Sequence, residues 1–375
     1  MLLRNILFGI SVSAASVAIG LTAAQAQTLP DYYPSSYNQI VEASKAEGSL
    51  LVQSNVGQPN WKPILEAFAK EYPWIKVQTL DLSGTEVFER YYAEQAAGSS
   101  EADIILAASG AAWADFIAKG NVVPYESPEA SKVPDWSKPV PGVYTISVDP
   151  SVIVYNKRVL KESEYPTSIS DLAKLVQANP GKFTKRLATI EPFGSSAKES
   201  QETHYLHHVG LDKALANFSI LGPVADLQRS GGPVFEKILT GEYVAGWDLS
   251  AVQLVPFLRD PARASIIGFA LPKDGLVMST RYYSIAKTTK HPNAAKLLVD
   301  FIISKKGQEA VSAGGLIPYR SGIDIPAGVY DFTYDKIVKE VGEQNIVQTS
   351  LDKNLITAPP EYLEKVNAAF GIKKK

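Results

Sequence analysis

Short turns rich in serine, threonine and glycine recur where predicted strands give way to predicted helices. They stand at Ser54, at Ser83-Gly84-Thr85, at Ser109 and at Ser195-Ser196. Backbone N–H groups and the positive end of a helix dipole attract anions at such positions, and hydroxyl side chains add donors. The same residue types are the usual N-caps of helices, so each turn taken alone is also explained by local capping. The turns therefore predict an anion-binding site, a set of helix caps, or both.

Aromatic and charged side chains near other strand ends can complete such a site. Tyr155, Trp247 and Tyr282 combine apolar area with a polar group, so each forms either a wall of a ligand cleft or part of the core. Asp248 follows an apolar strand and is either a ligand contact or a helix cap. Arg281 can neutralise an anion through a two-point contact, or it can lie solvated on the surface.

Catalytic patterns do not accompany these turns. His204 and His208 have the i, i+4 spacing that zinc can use, but the sequence contains neither His-Glu-x-x-His nor Gly-x-Ser-x-Gly. The helix that carries three histidines is therefore predicted to present them to solvent. Ser109 or Ser195 would need a nearby base to act as a nucleophile, and none is placed. The sequence thus predicts a binding protein with no cofactor and no metal, and a secreted hydrolase is the alternative from another class.

Strands and helices alternate along the chain, which predicts an α/β fold with largely parallel sheets. The strands predicted from apolar or alternating runs are 48–54, 75–80, 102–106, 151–155, 243–247 and 282–286. The helices predicted from their periodicity are 63–70, 86–97, 111–119, 170–178, 197–209, 211–217, 234–240 and 293–304. A Pro-rich segment from Pro124 to Pro150 resists helix formation and is predicted to be an extended crossover rather than a core element.

The first 26 residues have the pattern of a cleavable secretory signal peptide. One positive charge at Arg4 precedes an uncharged run, and Ala24-Gln25-Ala26 has the small-x-small pattern of a cleavage site. A retained membrane anchor is the alternative, but the run is short for a bilayer span and polar residues dilute it. Cleavage after Ala26 predicts a soluble protein in the periplasm that begins at Gln27.

Composition excludes several other classes. The 375 residues are 45% hydrophobic and 20% charged, which is typical of a globular protein, and the length suits two domains. The formal net charge is −2 with no basic stripe, so no nucleic-acid partner is predicted. The chain has no cysteine, which excludes disulfides, thiolate catalysis and cysteine-ligated metals.

Several short segments, each weak alone, form a specific set through their order and spacing. They are Ala46-Glu-Gly-Ser-Leu-Leu-Val52, Phe68-Ala-Lys-Glu-Tyr-Pro73, Val154-Tyr-Asn-Lys157, Thr167-Ser-Ile-Ser-Asp-Leu172, Leu239-Thr-Gly-Glu-Tyr-Val-Ala245 and His291-Pro-Asn-Ala-Ala-Lys-Leu-Leu-Val-Asp-Phe301. This set resembles the extracellular solute-binding proteins of the type II periplasmic class. The resemblance is to the ferric-iron, phosphonate and polyamine-like branch of ABC-importer receptors, and it covers nearly the whole mature chain.

The resemblance implies two α/β lobes that close on a ligand about a hinge of crossing strands. Each lobe would hold a mixed, mainly parallel sheet flanked by helices. The first lobe would comprise residues 27–145 and a return segment 268–330, and the second would comprise 146–267. Residues 331–375 would form C-terminal helices that pack on the second lobe.

The resemblance also implies which residues face the cleft. The first lobe would contribute Ser54, Ser83, Gly84, Thr85 and Ser109, and the second would contribute Ser195, Ser196, Trp247 and Asp248. Ferric members of the family place two adjacent tyrosines just after the Gly-Glu-x-x-Ala strand, where this chain has Trp247-Asp248. Tyr282 and Tyr283 lie on a predicted strand, whose successive side chains point to opposite faces. These departures argue against iron as the ligand.

The expected function is that of the periplasmic substrate-binding component of an ABC transporter. It would act as a monomer, capture a small polar, anionic solute between its lobes and deliver it to an inner-membrane permease. Two alternatives share the fold. One is a ferric-iron-binding protein, and the other is a sensor subunit that presents its ligand to a receptor kinase.

Overall fold

The computed structural model describes residues 29–328 and 330–372. The predicted signal peptide, residues 1–26, lies outside these described residues. Within them, no helix combines the length and the apolar character needed to cross a membrane.

Strands and helices alternate through most of the described chain, as the sequence pattern predicts. The strands are β1 Ser49–Ser54, β2 Lys76–Asp81, β3 Ile104–Ala107, β4 Val143–Asn156, β5 Leu187–Ile190, β6 Ala225–Gln228, β7 Ala245–Ser250, β8 Ile267–Ala270, β9 Leu276–Ile285 and β10 Ile346–Gln348. The α-helices are α1 Tyr37–Glu47, α2 Gln58–Glu71, α3 Glu86–Ala96, α4 Gly110–Ala118, α5 Ile169–Ala178, α6 Pro180–Phe183, α7 Ser196–Val209, α8 Leu211–Leu221, α9 Gly232–Thr240, α10 Ala251–Arg259, α11 Pro261–Ala264, α12 Pro292–Ile303, α13 Lys305–Ala313, α14 Tyr334–Val341 and α15 Pro360–Ala369.

The strands join in the order β2-β1-β3-β9-β4-β7-β5-β6, with β10 beside β9 and β8 beside β4. β1 is parallel to β2 and β3, and β5 is parallel to β6 and β7. β9 is antiparallel to both β3 and β4. The β2-β1-β3 group and the β7-β5-β6 group are the sheets of two α/β lobes, which we call the first and the second lobe. The predicted fold of two lobes joined by crossing strands is confirmed.

β4 lies at the centre of this arrangement, which makes the prediction of a crossover outside the core wrong for its residues. The strand is 14 residues long, and nearly all of it is buried. It pairs with β9 over Val143–Pro150 and with β7 and β8 from Ser151 onward. Pro150 is tolerated because the strand changes partners at this point, so its missing N–H interrupts no continuous ladder. β4 therefore joins the two lobes, with β9 alongside it.

Helices pack against the strands of both lobes and bury apolar side chains against them. In the first lobe, α12 lies against α1 and the sheet, and its side chains are buried almost all round. In the second lobe, α15 packs on α8, and the ring centres of Phe370 and Phe218 are 5.3 Å apart. α2 begins at Gln58 rather than at the predicted Pro63, with Pro59 in its first turn. The boundaries of the lobes at residues 145, 267 and 330 stay a prediction.

Candidate functional site

A row of polar side chains lies on the crossing strands between the two lobes. In the antiparallel register, Ser147 lies opposite Arg281 and Asp149 lies opposite Ser279. Because side chains alternate along a strand, all four project from the same face of the ladder. We call these four residues the ladder face, and they form the floor of the candidate site.

Asp149 connects this floor to the second lobe. Its Oδ2 atom accepts hydrogen bonds from Ser250 Oγ at 2.6 Å and from Arg281 Nη2 at 2.7 Å, and Val252 N donates to Oδ1 at 3.1 Å. Ser250 is also the N-cap of α10, where its hydroxyl accepts from the backbone of Gln253. The Arg281 side chain is only 15% exposed. It is therefore a paired residue of the cleft and not a solvated surface arginine.

A cluster of charged side chains from α7 and β7 lies on the second-lobe side of the candidate site. Ser195 caps this helix by accepting a hydrogen bond from the backbone of Lys198. One turn separates Lys198 from Glu202, and their charged atoms lie 3.0 Å apart. The ammonium group of Lys198 also contacts the carboxylate of Asp248. Burial of a charge is costly unless it is paired, so these three side chains hold one another in place.

Asp248 has a left-handed backbone conformation, which is uncommon for residues other than glycine. Its φ angle is 57°, in the left-handed region, and such a conformation costs on the order of 1–3 kcal/mol. The N-cap of the following helix is Ser250, so the alternative that Asp248 is a helix cap is wrong. The strained turn instead directs the carboxylate of Asp248 towards Lys198.

The two lobes touch beside this cluster, at two of the predicted serine turns. Ser109 at the start of α4 and Ser196 at the start of α7 have their Oγ atoms 2.9 Å apart. Gly110 permits this close approach, because a Cβ atom there would lie 2.9 Å from Ile356 Cγ2 and 3.3 Å from Ser200 Oγ. Ser109 makes no side-chain cap of α4, so its hydroxyl is used between the lobes.

Two pockets lie near the crossing strands, and Ser279 of the ladder face lines one of them. The first has about 390 Å³ of empty space, part of it open to solvent, and we call it the tryptophan pocket; its walls include Trp247, Tyr205, Phe218, Ser151 and Val277, with Lys198, Glu202 and Asp248. The second has about 280 Å³ of empty space, also partly open to solvent, and we call it the hydroxyl pocket; its walls include Gly110, Ser200, Ser279, Thr280, Tyr282, Thr349 and Ser350. Gln201 lines both pockets. The pair of pockets therefore spans α7, β9 and the start of α4.

Four predicted residues of the first lobe do not line these pockets, and two of them, Ser54 and Ser83, have local hydrogen-bonding roles. Ser54 is fully buried, and its hydroxyl accepts hydrogen bonds from Val56 N and Trp61 Nε1. Ser83 forms a reciprocal cap with Glu86, in which each side chain accepts from the backbone N–H of the other residue. Gly84 and Thr85 continue the same loop, and the side chain of Thr85 makes no cap of α3. For Ser83, the capping interpretation is the one that the contacts support.

The predicted aromatic residues divide between site and core. Tyr155 packs in the second lobe, with its ring centre 4.5 Å from that of Tyr165. Trp247 lines the tryptophan pocket. Tyr282 lines the hydroxyl pocket and donates to the carbonyl of Thr349 at 3.3 Å, and burial raises its pKa to about 12. The hydroxyl of Tyr283 donates to the carbonyl of Val299 inside the first lobe, so the two adjacent tyrosines face opposite sides of β9.

His204 contradicts the prediction of three solvated histidines. His207 and His208 are exposed, but His204 is only 4% exposed. Its Nε2 atom accepts a hydrogen bond from Ser350 N at 3.0 Å, and its Nδ1 atom lies 2.7 Å from the carbonyl of Ser200. Burial lowers the pKa of His204, which favours the neutral ring that these contacts require. The residue anchors the segment after β10 to α7.

Most of the charge and the free donors of the site come from residues that the sequence patterns did not predict. They are Ser147, Asp149, Lys198, Gln201, Glu202 and Ser279. A signal existed for Lys198 and Glu202, since opposite charges at i, i+4 follow a serine cap at the start of a helix. Asp149 also stands out as a charged residue in an apolar strand. The described residues hold no group of three or more His, Cys, Asp or Glu side chains that could bind a metal ion.

Two α/β lobes that meet over polar crossing strands define a two-lobe ligand-binding protein. A family model for bacterial extracellular solute-binding proteins matches residues 54–309. The chain belongs to this family, and its members are binding proteins by description. No curated protein sequence matches the chain significantly.

Solved structures confirm the predicted type II fold. The substrate-binding protein of an ABC transporter from Agrobacterium tumefaciens has a TM-score of 0.71 and 18% identity, covering 86% of this chain and 94% of that one. Iron-bound HitA from Pseudomonas aeruginosa has a TM-score of 0.66 and 16% identity, covering 86% of this chain and 99% of that one. AfuA from Actinobacillus pleuropneumoniae, with fructose-6-phosphate bound, has a TM-score of 0.64 and 18% identity, covering 86% and 97%.

Proposed function

We propose that this protein is the periplasmic receptor of an ABC importer. It captures one small polar solute with an anionic group between its lobes and delivers it to an inner-membrane permease. Family membership supports solute binding, and one similar structure is named as the substrate-binding protein of an ABC transporter. We infer that the protein binds its solute without transforming it.

The contact between Ser109 and Ser196 carries this proposal. Their hydroxyl oxygens lie 2.9 Å apart and join a turn of the first lobe to a turn of the second. Gly110 and Ala197, the residues that follow them, both line the hydroxyl pocket. Separation of the lobes at this contact would open the pocket, and closure would enclose its contents. Capture by closure between two lobes needs this geometry.

The charges of the site limit the kind of solute. Three carboxylates, those of Asp149, Glu202 and Asp248, face two cations, Lys198 and Arg281. One negative charge is therefore in excess among these buried groups, and a multiply charged anion would be repelled. A solute with a single anionic group would be repelled less than a multiply charged one, and Trp247 and Tyr205 supply apolar walls for the rest of it.

Ferric ion is the alternative cargo, because iron-bound HitA shares the fold. The opposite orientation of Tyr282 and Tyr283 counts against it, since both phenol groups are committed to backbone carbonyls. Purified protein mixed with ferric ion should remain colourless. A visible phenolate-to-iron absorption band that disappears in Tyr282→Phe would establish iron as the cargo instead.

Catalysis by a serine of the cleft is not supported by the contacts. The Ser109 hydroxyl pairs with Ser196, and the Ser195 hydroxyl caps α7. His204 is the histidine nearest the hydroxyl pocket, but its Nε2 atom already accepts from the backbone of Ser350. A hydrolase would need a base that is free to take a proton from the nucleophile.

Two measurements on the purified protein test the proposed function. Mass spectrometry of a denatured extract should reveal a small molecule that was bound, and thermal-shift assays should identify added solutes that raise the melting temperature. Small-angle scattering should then show a more compact protein with the stabilising solute than without it. Binding with no change in compactness would contradict capture between the lobes.

A further inference from the structure

Unpaired hydrogen-bond donors are concentrated on the ladder face. The Oγ atoms of Ser147 and Ser279 and the Nη1 atom of Arg281 are buried and have no hydrogen-bond partner among the described residues. Ser147 is fully buried and Ser279 is 7% exposed. Buried polar groups of folded proteins are nearly always paired, so three unpaired groups in one place require an explanation.

The three groups are close together because of the strand register. Ser147 lies directly across the ladder from Arg281, and Ser279 lies across from Asp149, the next position on the same face. Neighbouring side chains on one face of an antiparallel pair have Cβ atoms roughly 5 Å apart when opposite and about 7–8 Å apart on the diagonal. Ser279 also lines the hydroxyl pocket, so this part of the ladder face borders the cleft.

The partner that these groups lack must accept hydrogen bonds. A guanidinium N–H can only donate, and each serine hydroxyl can donate as well. Asp149 does not meet this need in the structure, because its two oxygens receive Ser250, Val252 and Arg281 Nη2 and none of the three unpaired groups. An oxyanion with two acceptor oxygens matches one guanidinium N–H group flanked by hydroxyls.

We propose that the solute is a monocarboxylate whose carboxylate binds Ser147 Oγ, Ser279 Oγ and Arg281 Nη1. This inference rests on the proposed function and names the ligand class of the same site. The excess negative charge of Asp149, Glu202 and Asp248 favours a carboxylate, with one charge, over a phosphate, which carries about −1.5 to −2 at pH 7. The rest of the solute then extends into the tryptophan pocket.

Alanine variants of the two serines give a sharp test. Because neither hydroxyl has a partner in the structure, Ser147→Ala and Ser279→Ala should leave the melting temperature of the solute-free protein unchanged. Ser284→Ala is the matched control, since Ser284 is on the same strand, is fully buried and also has an unpaired hydroxyl. It lies inside the first lobe, opposite Ile105 and Val143.

The probes are acetate, propanoate, pyruvate and benzoate, each compared with its amide, and inorganic phosphate. Calorimetric titration should show that the wild type binds at least one carboxylate and prefers it to the amide and to phosphate. Ser147→Ala and Ser279→Ala should each weaken this binding by about 10- to 100-fold, while Ser284→Ala binds as the wild type does.

The proposal is overturned if no carboxylate binds the wild type or if an amide or phosphate binds as tightly. It is also overturned if Ser147→Ala or Ser279→Ala retains full affinity, or if Ser284→Ala weakens binding as much as they do. The proposed function is judged separately. A neutral solute or a phosphate that makes the protein more compact would support capture between lobes while removing the carboxylate assignment. A carboxylate that binds without compaction would support the carboxylate assignment and contradict capture between the lobes.

Discussion

The two lobes contain similar serine turns but, apart from Ser109, which meets Ser196 of the second lobe, use them differently. In the first lobe, Ser54 and Ser83 satisfy backbone and side-chain groups of their own neighbourhood. In the second lobe, the Ser195 cap starts the helix that carries Lys198 into the cleft, and the Ser250 cap also binds the floor. A serine turn therefore marks the start of a helix in both lobes. Whether it also marks a site depends on the charged residues that the next helical turn supplies.

The buried charges of the second lobe provide the largest expected effect. Lys198→Met would leave Glu202 and Asp248 buried without their shared cation, and breaking a buried pair typically costs about 3–5 kcal/mol. Urea unfolding of the solute-free protein should show this loss of unfolding free energy. The control is Lys365→Met, which removes an exposed i, i+4 pair with Glu361. That change should cost less than about 1 kcal/mol. If both variants lost the same unfolding free energy, the buried Lys198 cluster would contribute no more to stability than an exposed ion pair.

A buried carboxyl group of the first lobe, Asp300, lies outside the cleft and should make stability depend on pH. Burial raises the pKa of Asp300 from 3.8 to about 7, although hydrogen bonds from Tyr37 and Tyr125 oppose the rise. The folded protein keeps a proton that the unfolded chain releases at lower pH. The resulting stabilisation is full below pH 4 and is lost as the pH rises through 7.

Comparison of the wild type with Asp300→Asn isolates this effect. Between pH 4 and pH 7, the wild type should lose up to about 4 kcal/mol of unfolding free energy relative to the variant, because each pKa unit corresponds to about 1.4 kcal/mol. Chemical denaturation at the two pH values measures the difference. Parallel pH profiles for the two proteins would show that Asp300 is not the titrating group. Solute affinity should be the same in both proteins, since Asp300 lies outside the cleft.

The caps themselves give the smallest expected effect on stability. Ser83→Ala and Ser195→Ala each remove an N-cap or capping-box hydrogen bond, so each should cost roughly 1 kcal/mol in denaturation experiments. Solute affinity should differ between the two variants. Ser83→Ala should bind normally, whereas Ser195→Ala should bind several-fold more weakly because Lys198 is no longer held by a capped helix. If both variants bind normally, or both bind weakly, the lobes do not differ in the way described.

The sequence pattern predicted the architecture well because it depends on local periodicity. The alternating apolar runs and helical stripes predicted six of the ten strands and eight of the fifteen α-helices in the described residues, and they missed β5, β6, β8 and β10. β4 is the clearest failure. Its prolines suggested an exposed crossover, and nothing local reveals that Pro150 falls where the strand changes partners.

The site was only partly predictable, because its key contacts join residues far apart in the chain. Trp247, Asp248, Ser109, Ser196 and Arg281 were named from the sequence, and in the structure they lie at the candidate site. The Arg281–Asp149 pair spans 132 positions and the Lys198–Asp248 pair joins different elements, so no spacing rule exposes either. The unpaired state of Ser147 and Ser279 depends wholly on what surrounds them in the folded protein.

A reversible crosslink across the lobe contact tests the central claim most directly. The natural chain has no cysteine, so Ser109→Cys combined with Ser196→Cys introduces the only thiols, at positions whose Oγ atoms lie 2.9 Å apart. Oxidation should form a disulfide in high yield and hold the lobes closed. The oxidised protein should neither bind nor release the solute identified from the extract, and reduction should restore exchange. Each single-cysteine variant is a control that should exchange the solute under both conditions. Rapid solute exchange in the oxidised protein, or failure of the disulfide to form, would contradict capture between the lobes.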